Sequence, residues 1–441
     1  MKKIKQLLLI LIFLSSFVSS TVMNSTQEKK IGDEIVASLW SSREIIDDIE
    51  FQIYLQKLGE ELLHVSNLQD KNYDFYLIEN KEVNAFASWH GIIGINSGLI
   101  LFTENESELA SILAHEIAHV SNNHLSRFLE KNSNQDLILI GGIIASILVN
   151  NGDASQAILS GTIANNLQNQ INYTREHEWE ADRTASSILL KSKYDPRGLA
   201  TFFQKLINRS KEKEFLSTHP SSIKRVSDNL ALANNLNRSY FDSSSYKLLK
   251  AKLYYDLNNK IIESSDPELL KYSEAYGLFL AQKYLEAKKS VDELLKISTS
   301  PHSYILAGRI YAMLDKNEFV KFFSKSFKLG LEEQSNYYLA DSYLKRGEFD
   351  KALNSLKVFA RVFDVSPLTN ILLSRIFVNL NKTARSQFQV GESLIKQKRY
   401  KEALSYFNQV MNSTSEENIY QIAESKALNI KAQLEIYKEI N

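Results

Sequence analysis

The stretch SELASILAHEIAH, residues 107–119, decides the fold of the first half of the chain. Its apolar side chains Leu109, Leu113 and Ile117 recur every four residues, which is the spacing of one face of an α-helix. Just ahead of them, residues 103–108 offer two overlapping capping boxes, and either one is typical of a helix start. The stretch therefore predicts an amphipathic helix.

Two histidines on this helix have the spacing of metal ligands. His115 and His119 are four residues apart, so their rings project from one side of the helix about one turn apart. Two imidazoles so placed can bind one Zn²⁺ at about 2.0–2.1 Å each, and Glu116 can reach a water at the site without binding the ion. This is the HExxH arrangement. The alternative is a surface helix that carries two incidental histidines.

A third ligand is expected on a second helix, within REHEWEADR at residues 175–183. Glu178 and Asp182 are four residues apart, so both can face the first helix. Glu178 would complete a site of two histidines and one carboxylate, and Asp182 would accept the free N–H of a ligand histidine. Glu180 points about 200° away from Glu178 and is not chosen. The alternative is a solvated acidic helix face.

Several motifs together resemble one family of peptidases. HEIAHV, EWEAD and, at residues 218–225, THPSSIKR resemble the gluzincin family that includes the CAAX prenyl proteases and the HtpX-type membrane proteases. NAFA at residues 84–87 and NESELAS at residues 105–111 add to the likeness. Over nearly its whole length, the chain is similar to the periplasmic branch with C-terminal tetratricopeptide repeats, the BepA type.

This resemblance implies roles for individual side chains. The implied zinc ligands are His115, His119 and Glu178, and the implied general base is Glu116. His219 and Arg225 would lie near the cleft. In the resting enzyme His219 would cap the zinc as a switch. Once off the metal, it would stabilise the oxyanion together with Arg225.

The NAFA motif opens a predicted edge strand for an extended substrate. Asn84, Ala85 and Phe86 would lie along this strand, and the substrate would pair with its backbone. Where relatives commonly carry a glycine pair, this chain reads SWHG at residues 88–91. The bulkier His90 is expected to affect substrate fit and is not expected to bind the metal.

The remaining histidines are predicted to lie outside the site. His124 follows His115 by nine residues, which on a continuous helix turns it to the opposite, apolar side, where it would pack in the core. His177 should point away from the site. His64 and His302 have no evident partners in the sequence.

An apolar insert separates the two helices with the predicted ligands. Residues 137–149 read LILIGGIIASILV, too short a run to span a bilayer, and residues 154–164 are also poor in charge. One interpretation is a buried core hairpin. The other, favoured by the resemblance, is a lid over the cleft or a segment that contacts the membrane. The lid side chains would be Leu137, Ile140, Ile144 and Leu148.

The N-terminus has the pattern of a secretory signal peptide. Lys2, Lys3 and Lys5 precede an apolar run at residues 7–14, and small residues lead to a predicted cleavage after Ser20. The alternative is an uncleaved anchor helix, for which the run is short. The chain has no cysteine, so a metal site must use histidine and carboxylate ligands. A bacterial periplasm is the expected compartment.

From about residue 244 onward, alanine, leucine and aromatic positions recur. Small residues are separated by 32, 33 and 34 positions, at Ala275, Ala307, Ala340 and Ser374. This spacing resembles tetratricopeptide repeats, in which small residues let paired helices cross closely. The spacing breaks between Ser374 and Gly391, so the last units are expected to be degenerate or out of phase. The alternative is an irregular helical bundle.

Length and charge limit the fold and the partners. With 441 residues, the chain exceeds what one hydrophobic core usually organises. The predicted fold is mainly α, with a signal peptide at 1–20, a zincin-like α+β metallopeptidase domain with a small sheet at 21–240, and an all-α tetratricopeptide-repeat solenoid at 241–441. A formal net charge of zero and the lack of a basic block argue against nucleic-acid binding.

Together these features predict a periplasmic zinc metalloendopeptidase with one Zn²⁺ per chain. The resemblance implies polypeptide substrates, a role in quality control or assembly of outer-membrane proteins, and docking of the repeats on the assembly machinery. A membrane contact through residues 137–164 is a further expectation. The alternative function is a periplasmic chaperone or adaptor in which the repeats do the work and the zinc site is idle or regulatory.

Overall fold

A computed structural model describes most of the chain. The described residues are 25–66, 68, 72–131, 167–208, 219, 223–233, 239–314 and 317–440. The signal peptide predicted at residues 1–20 lies outside them, and so do the predicted lid residues Leu137, Ile140, Ile144 and Leu148. Within the described ranges, no helix is both long enough and apolar enough to cross a membrane.

The chain divides into two compact units. The first comprises the described residues of Met1–Ile46, Leu55–Phe241 and Ile436–Asn441, and the second comprises those of Asp47–Tyr54 and Asp242–Glu435. The main division, after Phe241, lies next to the predicted boundary between residues 240 and 241. Two short segments differ from the predicted domains, since Asp47–Tyr54 joins the second unit and Ile436–Asn441 joins the first.

The first unit is a set of helices around a small sheet. Its described elements are α1 (Ser25–Ser42), α2 (Ile49–Ser66, from Leu55 on), β1 (Asp74–Ile78), β2 (Ala85–Ala87), β3 (Ile92–Asn96), α3 (Ser97–Phe102), α4 (Glu106–Ser121), α5 (His124–Lys131), α6 (Leu167–Lys191), α7 (Arg197–Asn208) and α8 (Ile223–Ala233). A 3₁₀ turn at Trp89–Gly91 joins β2 to β3. This arrangement confirms the predicted α+β class.

The sheet has the strand order β1–β3–β2. The central strand β3 runs parallel to β1 and antiparallel to β2, so β2 lies at an edge. Gly94 of β3 pairs with Phe86 of β2. A Cβ atom on Gly94 would come within 2.3 Å of the Phe86 ring, so glycine is needed there for the ring to lie across the strand.

Helix α4 is the buried centre of the first unit. Asn105 is its N-cap, since its Oδ1 accepts a hydrogen bond of 2.9 Å from the backbone N–H of Glu108. Thr103 instead ends the preceding helix α3. Every side chain from Glu106 to Ala118 is buried. The alternative of a surface helix with incidental histidines is therefore wrong.

The second unit is all-helical in its described residues. Its helices are the start of α2, α9 (Ser244–Asn258), α10 (Pro267–Leu280), α11 (Tyr284–Ile297), α12 (Pro301–Met313), α13 (Phe319–Lys328), α14 (Glu332–Lys345), α15 (Phe349–Lys357), α16 (Phe359–Val362), α17 (Pro367–Asn379), α18 (Thr383–Lys396), α19 (Tyr400–Ser413) and α20 (Glu417–Glu439, up to Glu435). Most pack on the next helix in the sequence, as helical repeats do.

Small residues stand where neighbouring helices cross. A Cβ atom on Gly308 of α12 would come within 2.7 Å of the Phe323 ring in α13. One on Gly391 of α18 would come within 2.8 Å of the Phe407 ring in α19. An aromatic ring of the next helix therefore packs against the glycine at both crossings.

The predicted change of phase has a structural cause. Helix α17 lies between the pair α14–α15 and the pair α18–α19. Its Ser374 contacts Ser386 of α18, with the two Oγ atoms 2.9 Å apart. The repeat spacing breaks before Gly391 because Ser374 and Gly391 lie on the consecutive helices α17 and α18, and not on equivalent helices of successive pairs.

A group of charged side chains is buried in the second unit. Glu50, at the start of α2, accepts hydrogen bonds from Nζ of Lys252 at 2.7 Å and from the hydroxyl of Tyr338 at 3.2 Å. Nδ1 of His302 lies 2.5 Å from the other oxygen of Glu50. The partner of His302, which is not evident in the sequence, is thus Glu50, 252 positions away.

Candidate metal centre

Three of the predicted ligand side chains converge between helices α4 and α6. Nε2 of His115 and Nε2 of His119 are 3.0 Å apart. The Glu178 carboxylate lies 3.3 Å from the first of these atoms and 3.4 Å from the second. The i,i+4 spacing on α4 aligns the two imidazoles, and α6 brings the carboxylate opposite them because the two helices pack together.

His219 completes a group of four. Its Nδ1 lies 3.4 Å from Nε2 of His115 and 3.2 Å from Oε1 of Glu178. One ligand atom from each of His115, His119, Glu178 and His219 lies within 4.8 Å of the others. Three are fully buried and His119 is half-buried, so the group is shielded from solvent.

Glu116 lies beside this group with its carboxylate fully buried, and the backbone N–H of Ala87 faces that carboxylate. Neither oxygen of its carboxylate receives a hydrogen bond of normal geometry from the described residues. Nε2 of His219 is 3.4 Å from Oε1. Burial raises the pKa of Glu116, and the neighbouring histidines oppose that rise. A buried carboxylate with a raised pKa is suited to accept a proton from a water molecule.

Two further residues stand behind the ligands. Oδ1 of Asp182 lies 3.1 Å from Nδ1 of His115. Arg225 of α8 donates to both oxygens of Asp182, at 2.7 and 2.8 Å, and its Nη1 lies 2.8 Å from Glu178. The guanidinium also covers the Phe203 ring, with 4.5 Å between its central carbon and the ring centroid. One guanidinium thus holds the carboxylates of Asp182 and Glu178 in place.

The charges of the group favour a cation. Burial alone would lower the pKa of His115, but Asp182 and Glu178 outweigh it and raise that pKa to about 9. Burial lowers the pKa of His119 to about 4. Burial would raise the pKa of Glu178, yet His219, His119 and Arg225 hold it well below its usual range.

This donor set fits a divalent metal ion. Imidazole nitrogens and a carboxylate oxygen are the ligands that zinc and similar ions take in proteins when cysteine is absent. The lowered pKa values of Glu178 and His119 favour the deprotonated forms that bind a metal ion, whereas the raised pKa of His115 favours a proton that the ion would displace.

Known proteins share this sequence pattern. The model of peptidase family M48 matches residues 51–232, and a tetratricopeptide-repeat model matches residues 334–363 and 385–413. The beta-barrel assembly-enhancing protease of Escherichia coli (strain K12) is 31% identical over 360 residues, which cover 77% of this chain and 74% of that protein. The chain belongs to peptidase family M48. It is a metalloendopeptidase with tetratricopeptide repeats.

Two further M48 relatives cover different shares of the chain. The beta-barrel assembly-enhancing protease of Yersinia pestis is 35% identical over 298 residues, 63% of this chain and 61% of that protein. Metalloprotease LoiP of E. coli is 28% identical over 208 residues, 46% of this chain and 79% of that protein. The match to LoiP is thus shorter than the matches to the two beta-barrel assembly-enhancing proteases.

The predicted substrate strand of the M48 unit lies at the sheet edge. Ala85 and Phe86 belong to β2, and in the described sheet β2 has a neighbour only on the β3 side. Asn84 precedes β2, with its carbonyl accepting from the N–H of Asn96 at 3.0 Å. His90 has a left-handed backbone (φ 60°) in the turn that follows, and it is not in the four-residue ligand group.

One histidine, His124, does not lie where its spacing from His115 predicted. Helix α4 ends at Ser121, and Asn123 has a left-handed backbone (φ 52°) before α5 begins at His124. The chain thereby turns His124 back, and its Nδ1 lies 2.9 Å from Nδ1 of His119. The prediction that it packs on the opposite side is wrong, because it assumed one continuous helix.

His177 and Glu180 are likewise part of this neighbourhood. The ring of His177 stacks on that of His124, with centroids 4.2 Å apart and planes within 6°. Glu180 lies 3.3 Å from Nε2 of His124, so it is near the site without being a ligand. The sequence signal for this arrangement is the pair Asn122–Asn123, a combination typical of a helix end.

Proposed function

We propose that this chain is a zinc-dependent endopeptidase with one Zn²⁺ held by His115, His119 and Glu178. The observation that carries the proposal is the close, buried grouping of these ligand atoms within 4.8 Å, beside the fully buried carboxylate of Glu116. Histidine and carboxylate ligands with an adjacent glutamate are the set used by hydrolytic zinc sites.

The side chains around the ion have distinct tasks. When bound, Zn²⁺ supplies a Lewis acid that polarises the scissile carbonyl and lowers the pKa of water. Glu116 takes a proton from the attacking water and passes it to the leaving amine nitrogen. Its raised pKa lies closer to neutral pH, where a general base works best. Asp182 accepts the N–H of His115 and so keeps Nε2 free for the ion.

His219 is assigned to a cap on the resting site. Its two ring nitrogens lie 3.2 Å from Glu178 and 3.4 Å from Glu116, so it occupies the space between a ligand and the general base. A substrate carbonyl needs that space, and His219 must move before cleavage. This supports the switch role that the sequence resemblance implies.

Arg225 is assigned to positioning. The sequence resemblance implies that Arg225 shares in stabilising the oxyanion. In the structure its Nε and Nη2 are directed at Asp182 and its Nη1 at Glu178. A guanidinium engaged in this way fixes the angle of the ligand carboxylate, and we therefore place Arg225 behind the ligands.

The substrates and location follow from the relatives. Homologues named beta-barrel assembly-enhancing protease match about three quarters of this chain. We infer that the chain acts on polypeptides during outer-membrane protein assembly or quality control, in a bacterial periplasm. The repeats in the second unit would dock a protein partner, in line with their helical-repeat surface. The partner that we infer for the repeats is the assembly machinery of the outer membrane.

Metal content and cleavage test this proposal together. Elemental analysis of the full chain should give about one zinc per chain, and the protein should cleave an unfolded outer-membrane protein. Glu116→Gln should keep the zinc and lose cleavage by about 10²–10⁴-fold. Glu178→Ala should lose the zinc. Glu176→Gln, exposed on the same helix, is the matched control and should behave as the wild type.

Two results would overturn the proposal. A wild-type chain that cannot be loaded with zinc would remove the peptidase mechanism. A Glu116→Gln variant that fully replaces the wild type in cells would favour the chaperone or adaptor alternative, because the repeats would then do the work without hydrolysis.

A further inference from the structure

His119 is backed by another histidine. Its Nε2 faces the ligand group, while its Nδ1 lies 2.9 Å from Nδ1 of His124. The two rings meet edge to face, with centroids 4.9 Å apart and an interplanar angle of 77°. The contact joins the last turn of α4 to the first residue of α5.

Metal binding would determine which ring nitrogen of each histidine carries the proton. A neutral imidazole carries one proton on its two nitrogens, and a ligand nitrogen must have none. With Nε2 of His119 used for the ion, its proton is on Nδ1, and that N–H donates to His124. Nδ1 of His124 is then an acceptor, so the proton of His124 is on Nε2.

The far nitrogen of His124 meets a carboxylate that suits this arrangement. Nε2 of His124 lies 3.3 Å from Oε2 of Glu180, which can accept a hydrogen bond from the Nε2–H group. The same oxygen is 2.8 Å from Nη1 of Arg127. His177 stacks on the other side of the ring and limits its rotation. The orientation of His124 is therefore fixed at both nitrogens and on one face.

We propose that His124 is a positioning residue for the metal centre: it accepts the Nδ1–H of His119, fixes the tautomer and angle of that ligand, and is itself anchored by Glu180 and Arg127. This inference rests on the proposed function, because it assumes that His119 binds zinc. The ligand His119 would then be held by a hydrogen-bond chain that runs through His124 to Glu180.

The two ligand histidines are thus supported by different groups. His115 has the carboxylate of Asp182 directly behind it, at 3.1 Å. His119 has a neutral ring, with the carboxylate of Glu180 one step further away. Removing a side chain that orients a ligand histidine typically lowers the metal affinity by about 10- to 100-fold.

Two replacements at one position separate hydrogen bonding from packing. His124→Phe keeps a flat ring that can stack on His177 but removes the acceptor. His124→Asn removes the ring but keeps a carbonyl oxygen near the place of Nδ1. If the hydrogen bond positions His119, only the Phe variant should bind zinc more weakly. If packing matters, only the Asn variant should do so.

The measurement is the zinc dissociation constant of the full-length protein, by competition with a chromogenic chelator. We expect His124→Phe to weaken zinc binding by about 10- to 100-fold and His124→Asn to stay within about threefold of the wild type. Any other ordering, including equal weakening by both, would overturn the positioning role. Circular dichroism of the metal-free variants checks that each is folded, and His124→Leu, which also lacks an acceptor, repeats the test if the Phe variant is not.

The same measurement distinguishes a failure of the proposed function from a failure of the positioning role. If the wild type binds no zinc, the proposed function fails. If the wild type binds one zinc and His124→Phe binds it equally well, only the positioning role fails.

Discussion

Arg225 and Asp182 form a buried ion pair with two parallel hydrogen bonds. Nε of Arg225 lies 2.7 Å from Oδ2, and Nη2 lies 2.8 Å from Oδ1. The remaining terminal nitrogen reaches 2.8 Å from Glu178. Burial opposes the charge, but the two carboxylates outweigh it and raise the pKa of Arg225. One guanidinium thus neutralises both acidic side chains that α6 turns toward the ligand group.

Removing that guanidinium should destabilise the metal-free protein. Arg225→Met leaves two buried carboxylates without their counter-charge, and we expect the free energy of unfolding to fall by about 3–5 kcal/mol. Arg225→Lys keeps a charge without the planar fork, so its loss should be smaller. Urea denaturation measures both. Lys224→Met, at the exposed neighbouring position, is the control; a loss as large as that of Arg225→Met would contradict this account.

His219→Ala should increase cleavage. The side chain lies between Glu178 and Glu116, so its removal opens the space that a substrate carbonyl needs. We expect a higher kcat/KM on a fluorescently labelled unfolded polypeptide, with the zinc content unchanged. His64→Ala, at an exposed position, is the control and should have no effect. A fall of about 10²–10³-fold would instead assign His219 to oxyanion stabilisation.

Acid should weaken the second unit through Glu50. Burial alone would raise the pKa of this carboxyl, but Lys252 and His302 outweigh it and hold the pKa well below its ordinary value of 4.5. Because the folded-state pKa is depressed, Glu50 contributes its full stabilisation above about pH 4.5 and loses it progressively as the pH falls further. Thermal unfolding followed by circular dichroism between pH 6 and pH 3 measures this loss.

A matched pair of variants isolates the contribution of Glu50. The melting temperature of Glu50→Gln should fall less steeply below pH 4.5 than that of the wild type, since the titrating group is gone. Glu286→Gln, at an exposed position of α11, should keep the wild-type slope. Identical slopes for all three proteins would show that other carboxyl groups govern the acid response.

Close helix crossing in the repeats can be tested at Gly308. An alanine there would place its Cβ 2.7 Å from the Phe323 ring, so we expect Gly308→Ala to lose about 1–3 kcal/mol of stability. Phe323→Leu in the same protein should recover part of that loss by withdrawing the ring. Chemical denaturation of the two single variants and the double variant gives the coupling. Simple additivity would count against a steric clash.

The ligand candidates could be predicted because their information is local. The four-residue spacing of His115 and His119 places both rings on one helix face, and the spacing of Glu178 and Asp182 does the same on α6. Asn105 gives the helix start through its capping side chain. None of these inferences needs the path of the chain between the two helices.

The supporting residues could not be predicted in the same way. The position of His124 depends on a helix end, and two asparagines carry that signal less strongly than a glycine or proline would. The pair of Glu50 and His302 depends on two segments 252 residues apart meeting in one core, and no local pattern encodes that meeting. Buried polar contacts of this kind follow from tertiary packing.

The membership of Asp47–Tyr54 in the second unit affects how the gene can be divided. A recombinant polypeptide beginning at Asp242 would lack the Glu50 carboxylate, and the ammonium of Lys252 would be enclosed without two of its acceptors, since Asp48 is also lost. The repeat array is therefore not a cassette that recombination could transfer to another protein at a single junction. It would have to be inherited together with a short stretch encoded nearly 200 codons upstream.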